Sequence, residues 1–327
     1  MKAFVLELGE LKIKDMEEPS AKKGQVVVSI HVAGLNRRDL YIPDRQGNKS
    51  EALILGSDGA GVIHSIGEDV VGFSIGDEVI INPALRWYDT SDAPPIGFDI
   101  LGMPDNGTFA EKVVISAEQL EKKPEYLSWE EASVVALSGL TGYRALFTKG
   151  NVKKGDTVFI PAAGSGVSSF LIQFAKNAGA KVIVTSRSED KRKHALKLGA
   201  DIAIDTNSDW NKELADETID LIIESVGRAT FNRSLDILKK GGRIVVFGAT
   251  TEDTIDFDLR KFFYGQYQLF GSTMGSRQEL RAMLAHMENF QMHPVVDRAF
   301  EFDQVQDAFD YLKKGKQFGK VAVRVSN

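Results

Sequence analysis

The chain contains no cysteine, which excludes disulfides, thiolate zinc sites, iron–sulfur clusters and a catalytic thiol. Histidine is scarce too. The five, His31, His64, His194, His286 and His293, form no metal-ligating spacing and no evident nucleophile pair. No run of about 18 apolar residues occurs, so no membrane span is expected. Met1 to Glu10 already carries acids and does not read as a signal peptide. Basic residues do not dominate: the formal net charge is −6, which leaves no footprint for a nucleic-acid partner. A cytoplasmic protein is therefore expected. The 327 residues suffice for two domains and a large core.

What is present centres on the stretch from Thr157 to Arg187. Val158 to Ile160 form a short apolar run, and the small residues Ala162-Ala163-Gly164-Ser165-Gly166-Val167 come next. Phe170, Leu171, Phe174 and Ala178 then recur on one helical face, and Lys181 to Thr185 carry a second apolar run. That order predicts a βαβ unit, whose right-handed crossover directs the turn at a ligand site. Small residues let the backbone approach a phosphate, and the helix N-terminus adds N–H donors and partial positive charge. A literal Gly-x-Gly-x-x-Gly fails at its last position, where Ser169 stands.

On the N-terminal side the pattern is β-rich and glycine-punctuated. Gln25 to Gly34, Gly61 to Gly67, Asp77 to Asn82 and Glu111 to Ile115 read as strands with no long helical pattern between them, which suggests a small barrel. Arg86 to Thr108, rich in Asp, Pro and Gly, reads as an irregular lobe. From Ser128 the period changes. Ser128-Trp-Glu-Glu131 predicts a capping box at a helix start. Short apolar strands then appear at Ile202–Ile204, Ile219–Ile223, Arg243–Phe247 and Gln268–Phe270, with helical patterns between most of them. Six parallel strands counted from Val158 predict a doubly wound sheet. Helices over 278–290 and 304–313 and a strand over 321–325 close the chain.

Several stretches, in this order, resemble the medium-chain dehydrogenase/reductase superfamily over the whole chain. They are Gly34-Leu-Asn-Arg-Arg-Asp39, Leu55-Gly-Ser-Asp-Gly-Ala-Gly-Val62, Gly72-Phe-Ser-Ile-Gly-Asp-Glu-Val79, Ser138-Gly-Leu-Thr-Gly-Tyr143, Val152-Lys-Lys-Gly-Asp156 and Lys197-Leu-Gly-Ala-Asp201. The resemblance implies an α/β protein: a GroES-like β-barrel catalytic domain over 1–120 and 291–327, with an inserted Rossmann domain, a doubly wound parallel six-stranded sheet, over 121–290. Where zinc-dependent relatives carry catalytic ligands, this sequence has Asn36, Ser57-Asp58 and Leu137. Neutral Asn and Ser are poor zinc ligands and Leu is none. No metal is expected, which moves the chain toward the zinc-free quinone oxidoreductases, although Gly271-Ser-Thr-Met-Gly-Ser-Arg277 also resembles a bacterial zinc-type alcohol dehydrogenase-like branch.

In the family register the three fingerprint glycines are replaced by Ala163, Ser165 and Ser168, which suggests a wider turn with hydroxyl contacts to a pyrophosphate. Ser186 stands where an NAD enzyme usually carries an acid for the ribose hydroxyl, with Arg187 and Lys191 just beyond it. A 2′-phosphate would suit them, so NADPH is expected over NADH. The cofactor set is completed by Ala163 to Val167, Ser225, Phe247, Gly248, Ala249, Thr250, Ser272, Thr273, Met274 and Lys320. Asn36 would donate to a developing oxyanion, Tyr41 would bond a carbonyl or gate the site, and Thr141 would touch the cofactor near its nicotinamide ribose. Asp39 reads as a salt-bridge partner of its neighbouring arginines, and Asp58 as a remnant paired with an arginine. The expected reaction passes hydride to a quinone, enone or aldehyde. The alternatives are an alcohol/aldehyde dehydrogenase-like enzyme and a non-catalytic cofactor-binding relative. A homodimer is expected through the edge strand at Gln268–Phe270.

Overall fold

The strand Gln25–Leu35 is the spine of the N-terminal unit. Val26, Val28, Ile30 and Val32 are buried along it, as β-branched residues on a pleated surface should be. It pairs antiparallel with Asp58–Ile66 on one side and with Lys320–Arg324, near the end of the chain, on the other. Glu78–Ile81 and Leu120–Lys122 extend the sheet beyond the first neighbour, and Val296–Glu301 beyond the second. Lys112–Ser116 also pairs with the spine. Phe309 meets Phe4 with its ring tilted and Phe109 edge to face at the core inside this curved sheet.

The strand register decides which polar residues meet. Gly34 lies opposite both Asp58 and Ala322, so Asn36, Asp58 and Lys320 come together at one end of the spine. Gly34 is required there: a Cβ on it would stand 2.6 Å from the Ser133 carbonyl oxygen.

The computed structural model describes residues 1–326, which divide into one unit of residues 1–140 together with the stretch from Gly275, and a second of Thr141–Met274. The boundaries expected at 120 and 291 thus fall inside the first unit. Hydrogen bonds explain the shift. The helix Arg277–Asn289 is tied to barrel residues by Arg277 Nε to Glu121 Oε1 (2.6 Å) and by the Arg277 amide to the Trp87 carbonyl (2.8 Å). The lobe over 86–108 carries the buried Trp87 and the strand Asp99–Ile100, which pairs with Ala84–Leu85 just before the lobe.

In the second unit the six parallel strands run in the order Ile202–Ile204, Lys181–Thr185, Thr157–Ile160, Ile219–Glu224, Leu238–Val246, Gln268–Gly271. The order reverses between Thr157–Ile160 and Ile219–Glu224, which makes their carboxyl ends a topological switch point. Phe170, Leu171 and Phe174 of the helix Gly166–Asn177 are fully buried, each worth roughly 1.5–3 kcal/mol. Among the described residues no helix is long and apolar enough to cross a membrane.

Candidate active site

Two groups of residues concern function, one in each unit. The first lies at the carboxyl ends of the parallel strands. Ala162 has φ 60° and Gly164 φ 112°, so the chain turns sharply between strand and helix. The turn is tied to the next strand through the Ala163 amide, which donates to the Thr185 carbonyl at 2.7 Å. Ser165 caps the helix, its hydroxyl accepting the Ser168 amide at 3.0 Å.

The expectation that the replacing serines offer hydroxyls to a pyrophosphate needs correcting at Ser168. That side chain is 3 % exposed, and its hydroxyl accepts the Gly164 amide and donates to the Ser165 carbonyl, both at 3.0 Å. A buried hydroxyl must be satisfied locally. Ser168 thus stitches the turn to the helix where a glycine would simply permit close packing.

Beyond the turn, Ser186 is buried and accepts the Ser188 amide at 3.3 Å, while Arg187 is exposed. Lys191 lies with its stem against Gly164, since a Cβ there would stand 2.7 Å from Lys191 Cδ. One residue missed from sequence is Arg192. It donates to the Ser186 carbonyl at 2.6 Å and pairs with Asp205 at 3.0 Å, fixing the loop that carries Ser186 and Arg187. A basic residue within the first turns of a charged helix carries no local sign of turning back to the strand end.

At the next strand ends the Thr250 amide donates to the Ser225 carbonyl at 3.1 Å, which joins Ser225 to the Phe247–Thr250 segment. Glu224 organises this corner from below. Its buried carboxylate accepts the Val226 amide (2.7 Å), the Gly227 amide (3.4 Å) and the hydroxyls of Thr230 (2.8 Å) and Ser234 (2.9 Å). Thr141 meets Met274 through a hydroxyl–sulfur contact of 3.7 Å. Met274 is itself held at φ 42°, and Thr273 before it is exposed. The Ser272 hydroxyl oxygen is buried with no hydrogen-bond partner.

The second group lies in the first unit. Lys320 places its ammonium 2.5 Å from Asn36 Oδ1, 3.2 Å from Asp58 Oδ2 and 3.2 Å from the Ser138 hydroxyl. Asn36 Nδ2 donates to Asp58 Oδ2 at 3.0 Å, and Asp58 Oδ1 accepts the Leu137 amide at 2.7 Å. The charges on either side fix the Asn36 amide: its oxygen faces the cation and its nitrogen the anion. All four side chains are buried.

Three expectations change here. Lys320, expected to return across the cofactor, has its ammonium bonded to Asn36, Asp58 and Ser138. Asp58 was expected to pair with an arginine and pairs with this lysine, which the sheet register brings opposite it. Asn36 was expected to donate to an oxyanion, and its amide hydrogens point to Asp58 and, at 3.5 Å, to the Gly34 carbonyl. Ser138 was only part of a matched stretch. Nothing local to its sequence reveals its partners, which lie 102 and 182 positions away.

Tyr41 ends the short helical turn Arg37–Tyr41 and is 41 % exposed. Within that turn Asp39 accepts the Asn36 amide at 2.8 Å. Arg38 lies 4.0 Å from its other oxygen, so the expected salt bridge is a loose one. Burial pushes the Asp39 carboxyl up to about 6 against the pull of Arg38 and the Asn36 amide.

Residues 22–125 match the family described as alcohol dehydrogenase GroES-like domain, and residues 166–289 the family described as zinc-binding dehydrogenase. A zinc-type alcohol dehydrogenase-like protein of Schizosaccharomyces pombe is 34% identical, over 97% of this chain and 95% of its own length. The chain belongs to the medium-chain dehydrogenase/reductase superfamily. Among solved structures, an NAD-dependent alcohol dehydrogenase superposes with a TM-score of 0.92 at 33% identity, covering 100% of both chains. A 2-octenoyl-CoA carboxylase reductase in complex with NADP and 2-octenoyl-CoA gives a TM-score of 0.88 at 25% identity, covering 99% of this chain and 87% of that one. These comparisons make it an oxidoreductase-family chain with a GroES-like domain and a Rossmann-like sheet.

Family membership raises zinc, and the donor set is the test. At the four positions where zinc-bearing relatives hold ligands, Asp58 and the Asn36 oxygen are already spent on Lys320. The Ser57 hydroxyl accepts from Arg38 at 2.5 Å and donates to the Leu101 carbonyl at 2.7 Å. Leu137 has no side-chain donor. Among the described residues no cluster of three His, Cys, Asp or Glu could hold a metal ion. These residues do not fit zinc. A dinucleotide fits the second unit better: Gly164 turns at φ 112°, which a side chain would strain, and the Ser272 hydroxyl is unpaired at the carboxyl end of the sheet's edge strand.

Proposed function

We propose that the chain is a zinc-independent, NADPH-dependent oxidoreductase that reduces a quinone or another α,β-unsaturated carbonyl. The observation that carries this reading is the lysine-filled cluster of Asn36, Asp58 and Ser138. A site whose acidic and carbonyl oxygens already serve an ammonium has none left for a Lewis-acidic metal, which plain alcohol oxidation in this family relies on. Conjugated acceptors need less polarisation, because their π system delocalises the incoming charge.

When bound, the nicotinamide supplies a hydride. The chain's own work is to hold it and orient the acceptor. The turn Ala163 to Val167 would face the pyrophosphate, with Lys191 lying along Gly164. Arg187, exposed on a loop held by Arg192, would meet a 2′-phosphate. Ser225, Phe247 to Thr250 and Ser272 to Met274 would border the adenosine and nicotinamide ends, with Thr141 beside Met274. Tyr41, exposed in the first unit, is the aromatic proposed to contact the acceptor.

The test is a panel of quinones, enones, aldehydes and simple alcohols, read by loss or gain of reduced-nicotinamide absorbance with and without chelator. Quinones or enones should turn over fastest, with no effect of chelator. Alcohol turnover equal to quinone turnover would favour the alcohol/aldehyde reading, for which the likeness to an NAD-dependent alcohol dehydrogenase speaks. Arg187→Ala should weaken NADPH about tenfold and leave NADH unchanged, the scale of one exposed charge-assisted phosphate contact. Equal weakening of both cofactors would sink the 2′-phosphate assignment.

A further inference from the structure

The loop after the strand Lys181–Thr185 displays one uncommitted cation. Arg187 is exposed, and among the described residues its guanidinium has no hydrogen bond or ion pair. Glu189, two positions on, is taken by Lys193 at 2.7 Å. The backbone beneath Arg187 is committed instead. The Ser186 amide donates to the Ile204 carbonyl at 3.2 Å. The Ser186 carbonyl receives the Thr206 amide only at 3.4 Å, and its short bond, 2.6 Å, comes from Arg192 Nη1. The same nitrogen donates to Asp205 Oδ2 at 3.0 Å. Asp205 is fixed in its turn, since Oδ1 accepts the Asn207 amide at 2.8 Å and its carbonyl accepts the Ser208 hydroxyl at 2.8 Å. From the far side Arg233 donates to the Thr206 and Ser208 carbonyls at 2.6 and 2.7 Å and lies over the Trp210 ring, 3.8 Å from its centroid. The turn over 205–208 is therefore anchored at both ends, and Arg192 is the strut from it to Ser186.

We infer that Arg192 is a positioning residue for cofactor choice: by fixing the Ser186 carbonyl it sets the direction in which Arg187 leaves the strand end toward a 2′-phosphate. This deepens the NADPH reading above and rests on it. An exposed arginine on a loose loop gains little from an anion, because binding must order both the side chain and the backbone that carries it. A loop already held removes the backbone share of that cost. The planar guanidinium of Arg192 serves two acceptors in set directions, which the ammonium of a shorter lysine does not reproduce. Arg192 thus acts on the phosphorylated cofactor through Arg187 and leaves the rest of the adenosine contacts alone.

The test is calorimetric titration of the full chain with adenosine 2′,5′-bisphosphate and with adenosine 5′-monophosphate, which differ only in the 2′-phosphate. The wild type should bind the bisphosphate about tenfold tighter. Arg192→Gln should cut that ratio to about twofold, with the monophosphate Kd changed less than about twofold. Arg192→Lys, the milder change for folding, keeps the charge and should still cut the ratio to about threefold. Arg187→Ala should abolish the preference, and adding Arg192→Gln to it should alter the ratio by less than about twofold, because no phosphate contact is left to position. An unchanged ratio in either Arg192 variant, or equal weakening of both probes, would overturn the inference alone. So would a further multiplying loss in the double variant, which would make Arg192 a phosphate ligand in its own right. A wild type that binds the two probes equally would overturn the NADPH reading itself.

Discussion

Asp39 gives a prediction whose size is set by its surroundings. The carboxyl is fully buried, with one oxygen on the Asn36 amide and the other, Oδ1, without a hydrogen-bond partner. Arg38, at 4.0 Å, is its nearest countercharge. Burial outweighs both, and the carboxyl rises from its ordinary 3.8 to about 6. That gap of about two units corresponds to roughly 3 kcal/mol of stability. The folded state binds the proton more tightly than the unfolded one. Stability is therefore fully present below the unfolded value and is lost as pH rises through about 6. Asp39→Asn keeps an oxygen for the Asn36 amide and cannot ionise. The difference in unfolding free energy between variant and wild type should move in the variant's favour by roughly 3 kcal/mol from about pH 3 to about pH 7. Guanidinium unfolding monitored by tryptophan fluorescence measures it, since Trp87 and Trp129 report on the same unit as Asp39. A difference that stays flat with pH, or moves the other way, would refute the burial argument.

Three further outcomes are expected. Gly164→Ala, forced to keep φ 112° with its Cβ 2.7 Å from Lys191 Cδ, should weaken cofactor binding about tenfold and cost roughly 1–2 kcal/mol, checked by cofactor titration and thermal unfolding. Glu224→Leu removes an acceptor serving four donors and should destabilise the second unit by about 2–4 kcal/mol, read from the Trp210 signal on unfolding. Leu269→Arg places a charge on an edge strand that exposes Leu269 beside the exposed Leu259, Phe263 and Tyr264 of the preceding helix, and it should convert the expected homodimer to a monomer by light scattering. A wild type that is already monomeric would remove the dimer proposal.

The second unit was legible because its signals are local. Val158 to Ile160 and Lys181 to Thr185 lie in a sheet covered on both faces, so each reads as an unbroken apolar run. In the first unit the Ser128–Glu131 capping box is local too: it spans four residues and stands in the structure as spaced. The polar cluster was not legible, because its members are set by register and not by neighbourhood. Asn36 and Lys320 are 284 positions apart and meet only because Val321 pairs with Leu35 in an antiparallel ladder. Periodicity gives each strand and says nothing of which strand lies beside it. Ser168 differs from expectation for a related reason. Its spacing marks a fingerprint position, while burial decides whether a hydroxyl points outward or bonds its own turn.

The cost of the Lys320 cluster bears on its meaning. Two charges taken out of water lose several kcal/mol each, and a buried pair of this kind is often no more stable than an apolar replacement of the same shape. Stability alone therefore gives no reason to keep Asn36, Asp58, Ser138 and Lys320 together in a core that could be apolar. Orientation does. Asp58 holds Lys320 and the Asn36 nitrogen, the Leu137 amide holds Asp58, and Lys320 holds the Asn36 oxygen and Ser138. Each group has its direction set by an opposite charge or a complementary dipole, and only the Ser138 hydrogen is left on a long contact. A cluster arranged this way bears its electrostatic cost during folding and leaves its polar groups with fixed directions in the folded unit.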